Sequence, residues 1–238
     1  MEKHLILFVI MFSHLFNHDL DLLINKIVSK EPFAFARYAD GELAVLENKH
    51  ITGCDGWSIG DEDKEFGNEL RLSLLHKERN YFYGISCPCC DMPAHKSLKN
   101  MLQDNWDRVT FSNLFVNCNW EKSKNFFMSY SDKIFICNSK SKLQCDFYKV
   151  PPNVINAYRT HRNELKNYYC EIAKNYTNKL FCISAGPLAE LIIHWMYGEN
   201  AQNQYVDVGS CLDPFIHGAA TRSYHSENNT FNNKVCVL

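Results

Sequence analysis

The chain has 238 residues, of which 46% are hydrophobic, 22% charged and 13% aromatic. That profile packs a core and excludes intrinsic disorder. Its 25 Lys and Arg against 27 Asp and Glu leave a net charge of −2, and no basic block is long enough to follow a phosphate backbone, so no nucleic acid partner is expected.

The length suits one core, so residues 1–238 are expected to form a single domain. Near the start, the apolar run Leu5–Phe12 is too short to span a bilayer. It lacks a small-residue cleavage site and runs on into the amphipathic stretch Asp19–Lys30. Residues 1–30 therefore read as an N-terminal helical segment, with no transmembrane segment, in a cytoplasmic protein. Short apolar strands follow at Phe33–Arg37, Tyr81–Ser86, Phe111–Val116, Lys133–Cys137, Leu180–Ser184 and Tyr205–Val208. Longer segments with helical spacing lie between them. Val154–Tyr176 sets Leu165, Tyr169 and Ile172 on one side, and Pro187–Tyr197 is apolar nearly all round, as a buried helix is. The alternation predicts an α/β fold with a mostly parallel sheet and helices on both faces. Residues 226–238, rich in Asn, read as an irregular tail and the least ordered part.

The cysteine count, eleven, is odd, and Cys137 and Cys182 sit inside apolar runs as small buried hydrophobes. Cys87-Pro88-Cys89-Cys90 has the density of a metal knuckle, yet no second pair follows at zinc-finger spacing and His95 stands alone. Reduced thiols are the expected state, and whether Cys87, Cys89 and Cys90 bind a metal stays open.

In open α/β sheets ligands gather at the carboxyl ends of strands, and three such ends carry polar chemistry. The first strand stops at Arg37 and then offers Asp40-Gly41-Glu42. Two carboxylates so spaced can ligate a hard divalent cation that also touches a diphosphate. Gly41 leaves room for close approach, and Arg37 is a bidentate phosphate donor. The same residues read equally as capping, with Asp40 as N-cap and Glu42 in the first turn. The second end is Ser184-Ala185-Gly186-Pro187, a turn into a helix whose free N–H groups favour an anion. Here Ser184 and Gly186 are the candidate contacts, against an ordinary tight turn. The third is Asp207-Val208-Gly209-Ser210 with Asp213, followed by Thr221-Arg222 and Tyr224-His225. Buried acids there need a ligand, a cation or a partner such as Arg222. Asp213 is a candidate general base, and a structural Asp–Arg pair anchoring the last loop is the plainer alternative. Asn138, after the strand Lys133–Cys137, is a weaker candidate for a base or sugar contact, because Asn also serves turns.

Taken together, ARYADGE, SAGPLAELI and VDVGSCLDP resemble the GT-D type glycosyltransferases, over roughly Phe33 to Tyr224. The resemblance implies a Rossmann-like fold, a uridine-diphosphate sugar donor and a Mn²⁺ or Mg²⁺ ion. It carries Asp40 and Glu42 onto the family's D-x-E metal and nucleotide-sugar motif. Many relatives carry His after the D-[IV]-G where this chain has Ser210. The base is therefore left among Asp213, His217 and His225. Cys54–Asp63 adds acids and is read as a solvated loop.

The expected activity is metal-dependent transfer of a sugar from a nucleotide-diphosphate sugar to a glycan or other hydroxyl acceptor. Arg37, Ser184 and Gly186 are expected on the nucleotide side, with Asp207, Gly209, Ser210, Asp213 and Arg222 nearer the sugar and acceptor. The alternatives are a metal-dependent nucleotide-sugar hydrolase or phosphoesterase, and a non-catalytic nucleotide-sugar-binding module.

Overall fold

A computed structural model describes residues 12–52, 57–145, 147–226 and 233–238. Helix α1 (Phe16–Val28) precedes strand β1 (Phe33–Tyr38), which leads into α2 (Asp40–Leu46) and a short antiparallel pair, β2 (Ile51–Thr52) with β3 (Ser58–Ile59). Helix α3 (Lys64–Leu74), strand β4 (Tyr81–Ile85) and helix α4 (Met92–Leu102) follow, then β5 (Val109–Phe111) and α5 (Trp120–Ser129). The second half runs through β6 (Lys133–Asn138), β7 (Phe147–Val150), α6 (Val154–Lys174), β8 (Leu180–Ile183), α7 (Ala189–Glu199), β9 (Gln204–Asp207) and α8 (Asp213–Ile216).

Seven strands form one sheet in the order β5-β4-β1-β9-β8-β6-β7, and every pair in it is parallel. The expected α/β, Rossmann-like, mostly parallel sheet with helices on both faces is therefore the observed fold. Parallel strands buried on both faces need apolar residues on both, and β1 supplies them by alternation. Ala34, Ala36 and Tyr38 join the core beneath α2, α3, α6 and α7, while Phe33 and Phe35 join the core beneath α1 and α5. The chain steps outward from β1 to β4 and β5, crosses to β6 and β7, and returns through β8 to β9, which slots in beside β1. That reversal opens a crevice at the carboxyl ends of the central strands, where ligands bind in such sheets.

A buried carboxylate ties three of the covering helices together. Glu69 on α3 accepts from Tyr158 Oη at 2.7 Å and Arg162 Nε at 3.0 Å, both on α6, and from Trp195 Nε1 on α7 at 2.8 Å. Burial pushes its pKa up, but these donors outweigh that and hold it below the usual carboxylate value.

Several local expectations need correction. The apolar run 111–116 is not a strand beyond Phe111: β5 is Val109–Phe111, and Leu114 and Phe115 are buried in turns that fill the core. Their hydrophobicity served packing, which periodicity cannot distinguish from a buried strand over so short a run. Edge strand β7 has no counterpart among the expected strands. The stretch read as a solvated loop packs instead, with Trp57 and Asp63 buried and Asp63 bound by Arg159 Nε and Nη2 at 3.0 and 2.8 Å. Its residues 53–56 lie outside the described residues. So do residues 1–11, which hold most of the apolar run Leu5–Phe12, and residues 227–232 of the tail. The tail's last residues are anchored: Val237 bridges Leu15 and Cys236 is buried. Among the described residues no helix is long and apolar enough to cross a membrane.

At Gly84 the neighbouring strand leaves no room for a side chain. A Cβ there would stand 2.9 Å from Phe111 O and 3.0 Å from Ser112 Cα, both backbone atoms of the neighbouring chain segment. Overpacking that the backbone cannot relieve costs roughly 1–3 kcal/mol. Gly84→Ala is expected to lower unfolding stability by about that amount, read from the urea midpoint at unchanged m-value.

Candidate active site

The residues singled out at the strand ends line one cleft of about 850 Å³, with the exception of His225. Arg37 comes from the end of β1, and Asp40, Gly41 and Glu42 from the first turn of α2. Asn138 ends β6, Ser184 and Gly186 follow β8, and Asp207 ends β9. Gly209, Ser210 and Asp213 continue from β9, and Arg222 comes from the segment after α8. Convergence of these positions follows from the parallel sheet, which delivers the carboxyl ends of adjacent strands to the same edge.

At the centre stands an ion pair between the two strands at the reversal. Arg37 Nε donates to Asp207 Oδ2 at 3.0 Å and Nη2 to Oδ1 at 3.4 Å, while Nη1 donates to Ser112 O at 2.7 Å. Asp207 Oδ1 also accepts from Gly209 N at 2.7 Å. Burial works against the Arg37 charge, but Asp207 outweighs it and raises the pKa. Gly209 has φ of +49°, and a Cβ there would lie 1.6 Å from Arg37 Nη2, so only glycine allows the clamp to close. Arg37 thus turns one edge to Asp207, and of the partners open to Asp207 in the sequence the structure supplies Arg37.

The first turn of α2 also differs in detail from expectation. Ala39, not Asp40, is the N-cap, and Asp40 is the first helical residue. Asp40 is exposed to the cleft. Glu42 Oε2 accepts from Ala39 N at 2.9 Å, the return half of a capping box. Glu42 is recessed, and burial pushes its pKa up against that backbone hydrogen bond. Capping and cleft lining are thus both true of Glu42. A Cβ on Gly41 would meet only the Trp57 ring at 3.9 Å, so the helix turn does not require glycine there.

Among the described residues, no three carboxylates or imidazoles of the cleft lie close enough to share one ion. Asp40 and Glu42 would be the protein's contribution to a Mn²⁺ or Mg²⁺. The donor set is chemically suitable, since such ions are commonly held by one or two carboxylates together with substrate phosphates and water.

On the opposite wall, Asp213 is buried; its Oδ2 accepts from Thr221 Oγ1 and its Oδ1 lies 3.7 Å from His217 Nε2. Burial pushes its pKa up, opposed by the Thr221 hydrogen bond. Ser210 Oγ pairs with Tyr224 Oη. His225 is not available as a base: Nδ1 accepts from Thr221 N and Arg222 N, both at 3.1 Å, and Nε2 donates to Ser210 O at 2.9 Å. It is a neutral latch, and burial lowers its pKa in keeping with that role. Asn138 Oδ1 accepts from Lys140 N at 2.8 Å, the local turn bond that Asn supplies, although it also lines the cleft.

Sequence reasoning missed Trp57 and Glu190 and gave Tyr224 no role, and all three line the cleft. Trp57 packs beside Gly41 and Gly186. Glu190, in the first turn of α7, is buried, and its Oε2 lacks a hydrogen-bond partner among the described residues. Burial, then Glu42 and Asp207, push its pKa well above the usual value. The signal for Glu190 was available: an acid in a helix that is apolar nearly all round must face something polar.

No protein-family model and no curated protein matches the sequence. Solved structures share its fold. A selenomethionine-substituted domain of unknown function 1792 superposes with a TM-score of 0.57 at 14% identity, covering 92% of this chain and 88% of that one. Another, described as the highly conserved domain of unknown function 1792 with a distinct glycosyltransferase fold, gives 0.53 at 15% identity, over 90% and 87%. A third, described as a new glycosyltransferase of that domain from Streptococcus sanguinis, gives 0.51 at 13% identity over 92% of both chains. At such identities the likeness is one of fold: the chain shares the architecture that one of these descriptions calls a distinct glycosyltransferase fold.

The Arg37–Asp207 pair is expected to be structural as well as site-forming. Arg37→Ala leaves a buried carboxylate unpaired and is expected to cost about 3–5 kcal/mol. The double variant with Asp207→Ala should recover part of that loss in a urea double-mutant cycle, and additive losses would show the two residues to be uncoupled.

Proposed function

We propose that this protein is a glycosyltransferase that moves a sugar from a nucleotide-diphosphate sugar to a glycan or other hydroxyl acceptor. One observation carries the reading: the Asp40–Glu42 turn, the Ser184–Gly186 turn and the Asp207–Asp213 segment face a single cleft at the carboxyl edge of the sheet. The solved structures of the same fold that are described as glycosyltransferases support it. A uridine nucleotide is the donor that best fits the motif resemblance.

The helix turn at Gly186 offers backbone N–H groups to a diphosphate, with Ser184 beside it. Asp40 and Glu42 would hold the Mn²⁺ or Mg²⁺, which when bound would neutralise charge developing on the departing diphosphate. Trp57 supplies an apolar wall for the donor, and Glu190 brings an unpartnered carboxyl oxygen to the same space. Asp213 takes the proton of the acceptor hydroxyl as its oxygen bonds to the anomeric carbon. The bond from that carbon to the diphosphate oxygen breaks, and its electron pair leaves with the nucleoside diphosphate. Water is held away by the apolar side of the cleft, Ile51, Val116, Val150 and Val154.

Asp40→Asn and Glu42→Gln keep the helix turn in place while weakening the metal ligands. Each is expected to abolish metal-dependent turnover with the thermal transition unchanged. Turnover that survives either change would remove the metal from the reading. In a thermal-shift panel, uridine diphosphate and its sugars should raise the melting temperature more with Mn²⁺ than without it, by mass action.

The base has its own pH signature. Asp213 works as the carboxylate, and burial raises its pKa, so kcat/KM should rise with pH through a value above the usual carboxylate range. Asp213→Asn is expected to lower kcat by about 10²-fold or more with donor binding retained. A pH–rate profile with an unmoved acid limb in that variant would assign the base elsewhere.

A further inference from the structure

Behind the cleft, four cysteines from distant parts of the chain meet. The sulfurs of Cys87, Cys89, Cys90 and Cys236 all lie within 4.8 Å of one another. Cys87 and Cys89 stand 3.2 Å apart, and Cys90 and Cys236 3.8 Å. A tetrahedral zinc with Zn–S bonds of about 2.3 Å requires sulfur–sulfur edges of about 3.8 Å, which these separations bracket. All four are free thiols, and none of these pairs approaches the roughly 2.05 Å of a disulfide.

The backbone around them is shaped for the purpose. Cys87-Pro88-Cys89-Cys90 is a C-x-x-C turn with a further cysteine inside it. The amides of Cys90 and Asp91 both donate to Cys87 O at 3.0 Å, which folds the segment so that its sulfurs point to one centre. Asp91 then caps α4 by accepting from Ala94 N at 3.0 Å. The fourth sulfur arrives with the tail, 146 residues beyond Cys90, where Val237 bridges Leu15 and Lys234 O accepts from Cys118 N. Amide donors surround the group. Asn113 Nδ2 lies 3.1 Å from Cys236 Sγ and 3.7 Å from Cys90 Sγ, and Asn117 Nδ2 lies 3.5 Å from Cys236 Sγ. Lys234 Nζ donates to Cys89 O at 3.1 Å.

We propose that Cys87, Cys89, Cys90 and Cys236 bind one Zn²⁺ as a closed tetrathiolate site with a structural role. Four thiols and Zn²⁺ give a tetrathiolate complex of charge −2 and release four protons. The Asn113 and Asn117 amides and the Lys234 ammonium offset that charge, as outer-shell donors do in metal sites. All four positions are filled by protein sulfur, so no position remains for substrate, which distinguishes a structural from a catalytic zinc. Cys87 and Cys236 are buried, while Cys89 and Cys90 reach the surface and provide the route of entry. The ion would staple the tail to the loops after β4 and β5. Because Asn113 also lines the cleft, the staple braces the wall of the proposed active site. It does not depend on the sugar-transfer reading.

The test uses the full chain purified under reducing conditions, with metal content and spectra as readouts rather than activity. Elemental analysis should find about one zinc per chain. Replacement by Co²⁺ should give thiolate-to-cobalt charge transfer and tetrahedral d–d bands that saturate at one equivalent. Cys236→Ser and Cys90→Ser should weaken binding at least ~10-fold, whereas Cys145→Ser, outside the group, should leave it unchanged. Asn113→Ala is expected to weaken it ~10–100-fold. Absence of bound zinc after reconstitution, with no cobalt charge-transfer band in the wild-type chain, would overturn the proposal whatever the variants do. So would an intact mass lower by about two hydrogens per cysteine pair that reduction restores, since that outcome is a disulfide.

Discussion

The Arg37–Asp207 ion pair is the constraint on which the rest of the site depends. It joins the first strand of the chain to the last at the point where strand order reverses, so it closes the sheet and floors the crevice in one interaction. Both groups are largely withdrawn from water, and such a pair is tolerable only when its remaining hydrogen-bonding capacity is met. Ser112 O and Gly209 N meet it, and the left-handed glycine leaves room for the guanidinium. The turn after β9 is therefore set by electrostatics in the sheet, and Ser210 and Asp213 take their places from that turn.

Around this pair the cleft holds a surplus of acid. Glu42, Glu190, Asp207 and Asp213 face one space, and Arg37 pairs with Asp207 at close range. Desolvation pushes Glu42, Glu190 and Asp213 upward, and neighbouring acids add to it for Glu42 and Glu190. Carboxylates with displaced pKa values in a concave site are the arrangement that cation binding and proton transfer require. The turn at Gly186 borders the same space, with Trp57 packed beside both it and Gly41, so the cleft brings acids and an anion-binding turn together. Under the proposed reading, a diphosphate bridged to a cation would meet both.

The chain order of strands and helices, and the strand ends that bear polar residues, were readable because both leave local signatures: apolar runs stop abruptly at Arg37, Ser184 and Asp207. What was not readable was partner choice. Asp207 has two arginines within sequence reach of a guess, Arg37 and Arg222, and only the register of β1 against β9 selects the first. His225 and Asp213 are equally plausible bases in the sequence, but the histidine is consumed by three backbone partners. Trp57 and Asp63 sit in a stretch whose composition reads as solvated, yet packing against α2 and α6 buries both. Leu114 and Phe115 show the reverse error, a core-filling turn with the composition of a strand.

The amino-acid sequence by itself determined the α/β class, the parallel sheet, and the three strand ends at which polar residues collect, since each of these follows from periodicity and burial along a short stretch of chain. The tertiary structure decided which groups pair, which acids are desolvated, and that Cys236 joins Cys87, Cys89 and Cys90. Those outcomes depend on distances between residues more than a hundred positions apart, and such distances exist only once the chain has folded.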